Sequence, residues 1–202
     1  MLYHHALFKQ SCLADFWQVM VHGLPLDFSV AGYFSAFPGI LILTEIWYRG
    51  RITKWFYKGY TAVAALIFSM TFGLNLVLYG YWGFPLDSTP IYYFFSSPAS
   101  ALASVSMWIV IGGVLVVLLL AVGVYLLMQR MEKKLNSLSA LNHHRVWSTF
   151  CQVVLLGLLF IPIRGGIKVS TMNVGEAYFS KDMRLNHAAV NPVFSLIESF
   201  SK

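Results

Sequence analysis

The chain has 202 residues, of which 58% are hydrophobic and 11% charged, and a mean hydropathy of +0.67. Soluble domains carry about a quarter charged residues, so this composition excludes a soluble globular protein and defines an integral membrane protein. The net charge of +6 implies no nucleic-acid partner, because the basic residues sit in short segments between apolar runs.

Residues 3–22 are too polar to span a bilayer. Leu7, Phe8, Leu13, Phe16, Trp17 and Met20 nonetheless recur at roughly helical spacing, which predicts a helix lying on the membrane surface. Phe28 to Tyr48 is the first expected span, long enough at a rise of ~1.5 Å per residue to cross a hydrocarbon core of ~30 Å. Its one acid, Glu45, is placed to pair with Arg49 at i+4, and Pro38-Gly39 is expected to kink it. Tyr60 to Tyr79 is the second span and Met107 to Met128 the third. Val146 to Ile163 is the fourth, shorter and ended by Pro162.

Orientation follows from the connections. Arg49, Arg51, Lys54 and Lys58 crowd the first, and Arg130, Lys133, Lys134 and Arg145 the third, whereas Gly80 to Ser106 has no Lys or Arg. The two basic connections therefore face the cytoplasm, and both termini lie outside. The stretch after Asp87 is too short to cross and return, so it predicts a short helix at the outer surface. Trp47, Tyr48 and Trp55 at one level and Tyr79, Tyr81 and Trp82 at the other read as interfacial belts. Cys12 and Cys151 make no disulfide framework. GLPLD at Gly23 to Asp27 echoes GFPLD at Gly83 to Asp87, and no longer repeat is present.

The outer helix ends gather polar groups: Asp27 before the first span, Asn75 within the second, Asp87 in the outer connection, and Arg164 and Lys168 after the fourth. On one reading these are lipid head-group contacts, with Arg164 offering a planar fork to phosphate oxygens and Gly165-Gly166 allowing close approach or a tight turn. On the other, Arg164 and Lys168 are interface anchors and Asp27 caps a helix. His4-His5 and His143-His144 are adjacent pairs that do not share a helix face, and no metal-ligand spacing, phosphate loop or nucleophile–base pair is found. No catalytic, cofactor-binding or metal residue is assigned.

After Ile163 the chain becomes polar and patterned. Val190, Val193, Phe194, Ile197 and Phe200 recur at helical spacing, with an N-cap at Asn186 or Asn191 and Pro192 in the first turn. Asn173, Asn186, His187 and Asn191 are the candidate contacts of this connector to a following domain. The expected fold is all-α: a transmembrane bundle of four spans over residues 1–163 with short interfacial helices, then an extracytoplasmic connector over 164–202.

Ser170 to Leu196 (STMNVGEAYFSKDMRLNHAAVNPVFSL) resembles the juxtamembrane connector of bacterial lipoteichoic acid synthase-like proteins, membrane-anchored sulfatase-family enzymes of the alkaline phosphatase superfamily. His22 to Tyr33 (HGLPLDFSVAGY) and Leu78 to Tyr93 (LYGYWGFPLDSTPIYY) are similar to the same family. The resemblance implies a bacterial cytoplasmic-membrane protein and a phosphoglycerol or similar head-group transferase. In that family a threonine nucleophile and divalent metal belong to a large extracytoplasmic domain, which is expected to lie beyond Lys202. It also implies a five-helix membrane domain, of which four spans are found, and Asn75 and Pro85 depart from the acid and the basic residue expected there. The partners implied are the lipid bilayer, a phospholipid substrate and that catalytic domain. A stand-alone transporter or a membrane scaffold protein remains the alternative from the residues themselves, although Glu45 and Asn75 are sparse for lining a path.

Overall fold

A computed structural model describes residues 1, 3–9, 11–48, 50–98, 106–138, 144–167 and 170–201. Arg49, His143 and Lys168 lie outside the described residues, so the Glu45–Arg49 pair and the role of Lys168 stay expectations. Among the described residues the chain is all-α, with four helices long and apolar enough to cross a membrane. It is a multi-pass membrane protein.

Helix α1 (Leu13–Trp47) has 35 residues, about 52 Å at the α-helical rise. That exceeds a ~30 Å hydrocarbon core, and the excess corrects the expectation of a separate surface helix over residues 3–22: Leu13 to His22 continue the first span. Only His5–Phe8 forms a turn of 3-10 helix of its own. The N-terminus of α1 is closed by a capping box, in which the Asp15 carboxylate accepts from the Cys12 N–H at 2.8 Å.

Both prolines of α1 are accommodated within the helix. Pro38 has no N–H to offer the carbonyl of Phe34, and the Tyr60 hydroxyl donates to that oxygen instead, at 2.6 Å. The proline is tolerated because a neighbouring helix satisfies the freed group.

Helix α2 (Arg51–Trp82) returns antiparallel to α1, with the Phe34 and Phe68 rings 4.5 Å apart. It ends at Gly83, whose φ of +71° is the left-handed cap that glycine adopts without strain. Thr61 and Thr71 donate to the carbonyls of Tyr57 and Ile67, so neither hydroxyl is left unpaired in an apolar span. A short helix, α3 (Thr89–Ser96), follows as expected at the end of α2. Helix α4 (Met107–Leu138) packs along α2.

The fourth span is interrupted. Helix α5 (Arg145–Leu158) stops and α6 (Phe160–Arg164) resumes after Leu159. Pro162 explains the position, since a proline ring disfavours helix at the carbonyl four residues before it, here Leu158. The expectation that Pro162 itself ends the span is corrected: the break falls one turn earlier and the helix continues to Arg164.

α1 and the fourth span run antiparallel along a seam of small residues. A Cβ on Gly32 would lie 2.7 Å from the Ile163 side chain and one on Gly39 2.5 Å from Leu156. Such contacts let backbones approach and are the usual adhesive between helices in lipid. Ser29 donates to the Ile163 carbonyl at 2.9 Å, Gln152 to the Gly39 carbonyl at 3.0 Å and Trp47 to Thr149 at 2.9 Å.

The tail forms a 3-10 turn at Val174–Ala177, then α7 (Met183–Ala189) and α8 (Pro192–Phe200). It folds back onto the N-terminal half of α1 and the C-terminal end of α2. The buried apolar cluster of the molecule is here, with Val19, Leu26 and Val30 of α1 against Ala177, Leu185, Ala189, Val190, Val193 and Phe194.

Candidate functional site

The polar residues singled out in the sequence converge on this end of the bundle, and most of them hold the tail in place. Asn191 is the N-cap of α8: its side-chain oxygen accepts from Val193 and Phe194 N–H at 2.9 and 3.2 Å. Its amide donates to the Asp27 carboxylate at 2.6 Å. One side chain thus starts a helix and binds the tail to α1 across 164 positions of sequence. Next to it, Gly23 is the point of closest approach, since a Cβ there would sit 2.7 Å from the Ala189 carbonyl oxygen. The His22 ring stacks on Phe179 with centroids 4.4 Å apart.

Asn186 does not cap a helix. It lies inside α7, 2% exposed, where its oxygen accepts from the N–H groups of Phe179 and Ser180 and its amide donates to the Ser180 carbonyl. A buried amide satisfied on both sides fixes the turn before α7. Asn173 caps the 3-10 turn, accepting from Gly175 N–H at 2.9 Å, and Glu198 accepts from Val174 N–H at 2.8 Å, tying that turn to α8.

His187 faces the end of α2. Its Nδ1 is 3.4 Å from the Tyr79 hydroxyl, and it is hydrogen-bonded to the Gly83 backbone. Burial pushes the His187 imidazole below its ordinary pKa, and the Gly83 bond opposes part of that shift. The N-terminal residues close over the same place: His4 Nε2 lies 2.8 Å from the Leu76 carbonyl, its ring 5.6 Å from that of Tyr79, and Arg184 donates to the Leu7 carbonyl at 2.8 Å. Arg184 also pairs with Asp182 at 2.7 Å, and its guanidinium holds that carboxyl below the usual range.

Asn75 and Asp87 are used locally. Asn75 accepts from Leu86 N–H at 2.9 Å and so folds the loop after α2, while Asp87 accepts from both the N–H and the hydroxyl of Thr89 at the start of α3. Arg164 lies with its Cζ 5.8 Å from the Phe160 ring centroid. Gly165 and Gly166, at φ +86° and +116°, make the tight turn that leads from α6 to the tail, with both N–H groups donating to the Ile161 carbonyl.

Of the five head-group candidates, then, Asp27 joins the connector residues, Asn75 and Asp87 order a loop, and Arg164 sits at the exit of the fourth span. His22, Gly23 and Glu198 belong to the same assembly and were not among the candidates, while His4 and Tyr79 were read only as half of an adjacent pair and as part of an interfacial belt. In the sequence Gly23 opens the short GLPLD segment, two residues before Pro25, and the structure makes it a helix contact. Among the described residues no group of three His, Cys, Asp or Glu side chains converges to hold a metal. The arrangement docks the tail on α1 and on the end of α2. No protein-family model, curated protein or solved structure matches the chain.

Proposed function

We propose that these residues are the membrane anchor and connector of a bacterial lipoteichoic acid synthase-like enzyme, a sulfatase-family transferase of phosphoglycerol or a similar phosphoryl-linked head group. The connector end faces outside and the basic connections face the cytoplasm. The anchor holds an extracytoplasmic catalytic domain at a fixed height and angle over the bilayer, and Arg164 with Lys168 attracts the lipid phosphate at that level. The family's metal and threonine have no fitting site among the described residues, so no chemical step is assigned to this chain.

One observation supports the reading above the others. The three stretches that carry the resemblance, His22 to Tyr33, Leu78 to Tyr93 and Ser170 to Leu196, are far apart in sequence, and the first two both touch the third, through Gly23–Ala189, Asp27–Asn191 and Tyr79–His187. Motifs that share one tertiary contact are what a domain-orienting connector requires. A transporter would instead place polar groups along a path through the spans, and Asn75 is already committed to Leu86.

The test is to tag this polypeptide in its native cell, purify it from the membrane and incubate it with head-group-labelled phosphatidylglycerol. Metal-dependent release or transfer of the labelled phosphoryl group, by the same polypeptide or a stoichiometric partner, is expected. Purified material with no such activity and no hydrolase domain attached or bound would overturn the proposal. For orientation, a cysteine placed at Lys54 should resist an impermeant thiol reagent applied from outside.

A further inference from the structure

The opposite end of the bundle carries a feature that the anchor role does not use. Near the first connection, Phe37 of α1 and Ile52, Trp55, Phe56, Gly59, Tyr60 and Val63 of α2 line an open groove of about 510 Å³. Its walls are almost wholly apolar. Trp55 is 73% exposed, although its neighbours across the groove are aromatic. Gly59 forms the floor, and a Cβ there would meet nothing within 4 Å.

At ~100° per residue, Arg51, Lys54 and Lys58 fall on one stripe of α2 that borders the groove at Trp55. All three are exposed, and none is in an ion pair with an acid among the described residues. No side chain caps the start of α2 and no acid occupies its first turn, so its N-terminal dipole adds to the positive field.

We propose that this groove holds an acyl chain of one anionic glycerophospholipid, whose phosphate lies against Arg51, Lys54 and Lys58. The site is separate from the head-group contacts at the connector end and does not rest on the anchor reading. Apolar walls supply the affinity for the chain, and the cationic stripe supplies selection of the head group.

The experiment places the full chain in nanodiscs of phosphatidylcholine containing a minor fraction of phosphatidylserine. Lipids retained after transfer to detergent are counted by native mass spectrometry. One tightly held phosphatidylserine per chain is expected, in preference to phosphatidylcholine. Lys54→Gln and Lys58→Gln should each lower that preference about five-fold, the effect of one cation near an anionic lipid. Gly59→Leu should expel the lipid without a clash, whereas Gly123→Leu on α4, where a Cβ also meets nothing within 4 Å, should not. Equal retention of the two lipids, or retention of phosphatidylserine unchanged either in a variant carrying both Lys54→Gln and Lys58→Gln or in Gly59→Leu, would overturn the proposal and leave only ordinary annular lipid.

Discussion

The tail-bound half of α1 and the pair of spans α4 and α5–α6 are both strongly apolar, yet they are packed in opposite ways. In the most apolar parts of Val110–Lys133 and Arg145–Arg164 almost no residue is buried within the protein, whereas Leu26 of α1 and Ala177 and Val193 of the tail are at most 1% exposed. Lipid tails are as apolar as leucine, so the spans gain little from burying side chains against each other. Beyond the hydrocarbon, the same side chains have water as the alternative, and burial is driven. The firmest packing is therefore expected outside the membrane, in the segment that looks least structured by composition.

The sharpest way to break this comparison is a pair of truncations. Leu26→Ala removes a fully buried side chain and should destabilise tail docking by about 2–5 kcal/mol, whereas Val116→Ala, on an exposed face of α4, should cost under ~0.5 kcal/mol. Hydrogen exchange across residues 183–200 in detergent measures both, and equal effects would mean the tail is not the packed region.

Gly23→Val tests the close approach next. Its Cβ would press on a backbone oxygen that has no rotamer to change, so a loss of about 1–3 kcal/mol is expected. Protease nicking of the tail should accelerate accordingly, while the spans stay resistant.

A smaller effect belongs to the Asp27–Asn191 bond. Asn191→Ala removes both the α8 cap and the link to α1, at a cost of roughly 1 kcal/mol for the cap alone. A double-mutant cycle with Asp27→Ala should give a coupling of at least ~0.5 kcal/mol, and strict additivity would show the bond contributes nothing.

The smallest expected effect is with pH. His187 has its pKa below the ordinary 6.5 in the folded tail, so the unfolded tail binds the proton more readily. The stability that neutral His187 allows is complete above that ordinary value and is lost as pH falls through the lower, folded one. Exchange protection of α7 should weaken as acidity rises in that window, and His187→Gln should flatten the dependence. The contribution of the Asp182–Arg184 pair is present at neutral pH and is lost only in stronger acid, because the guanidinium holds that carboxyl below the ordinary 3.8 of an aspartate.

Much of the chain was legible because its signals are local. Four apolar runs of about 20 residues identify spans whatever surrounds them, and Asn191-Pro192 reads directly as an N-cap and first turn. The candidate site was legible in its membership and not in its wiring. Asn186 and Asn191 have the same side chain and similar neighbours, but one fixes a turn and the other caps a helix, because only Asn191 precedes a residue without an N–H and faces Asp27.

The clearest division lies in the repeated Pro-Leu-Asp. Pro25-Leu26-Asp27 is helix and Pro85-Leu86-Asp87 is loop, although both leucines are buried and both aspartates accept hydrogen bonds. By itself the sequence determined the class of protein, its four spans and Pro192 in the first turn of α8, all properties of a few neighbouring residues. Only the tertiary structure decided that the tail closes on the N-terminal half of α1, along Gly23 and Asp27. That outcome depends on Gly23 meeting Ala189 and Asp27 meeting Asn191, contacts between segments more than 160 residues apart, which no local pattern encodes.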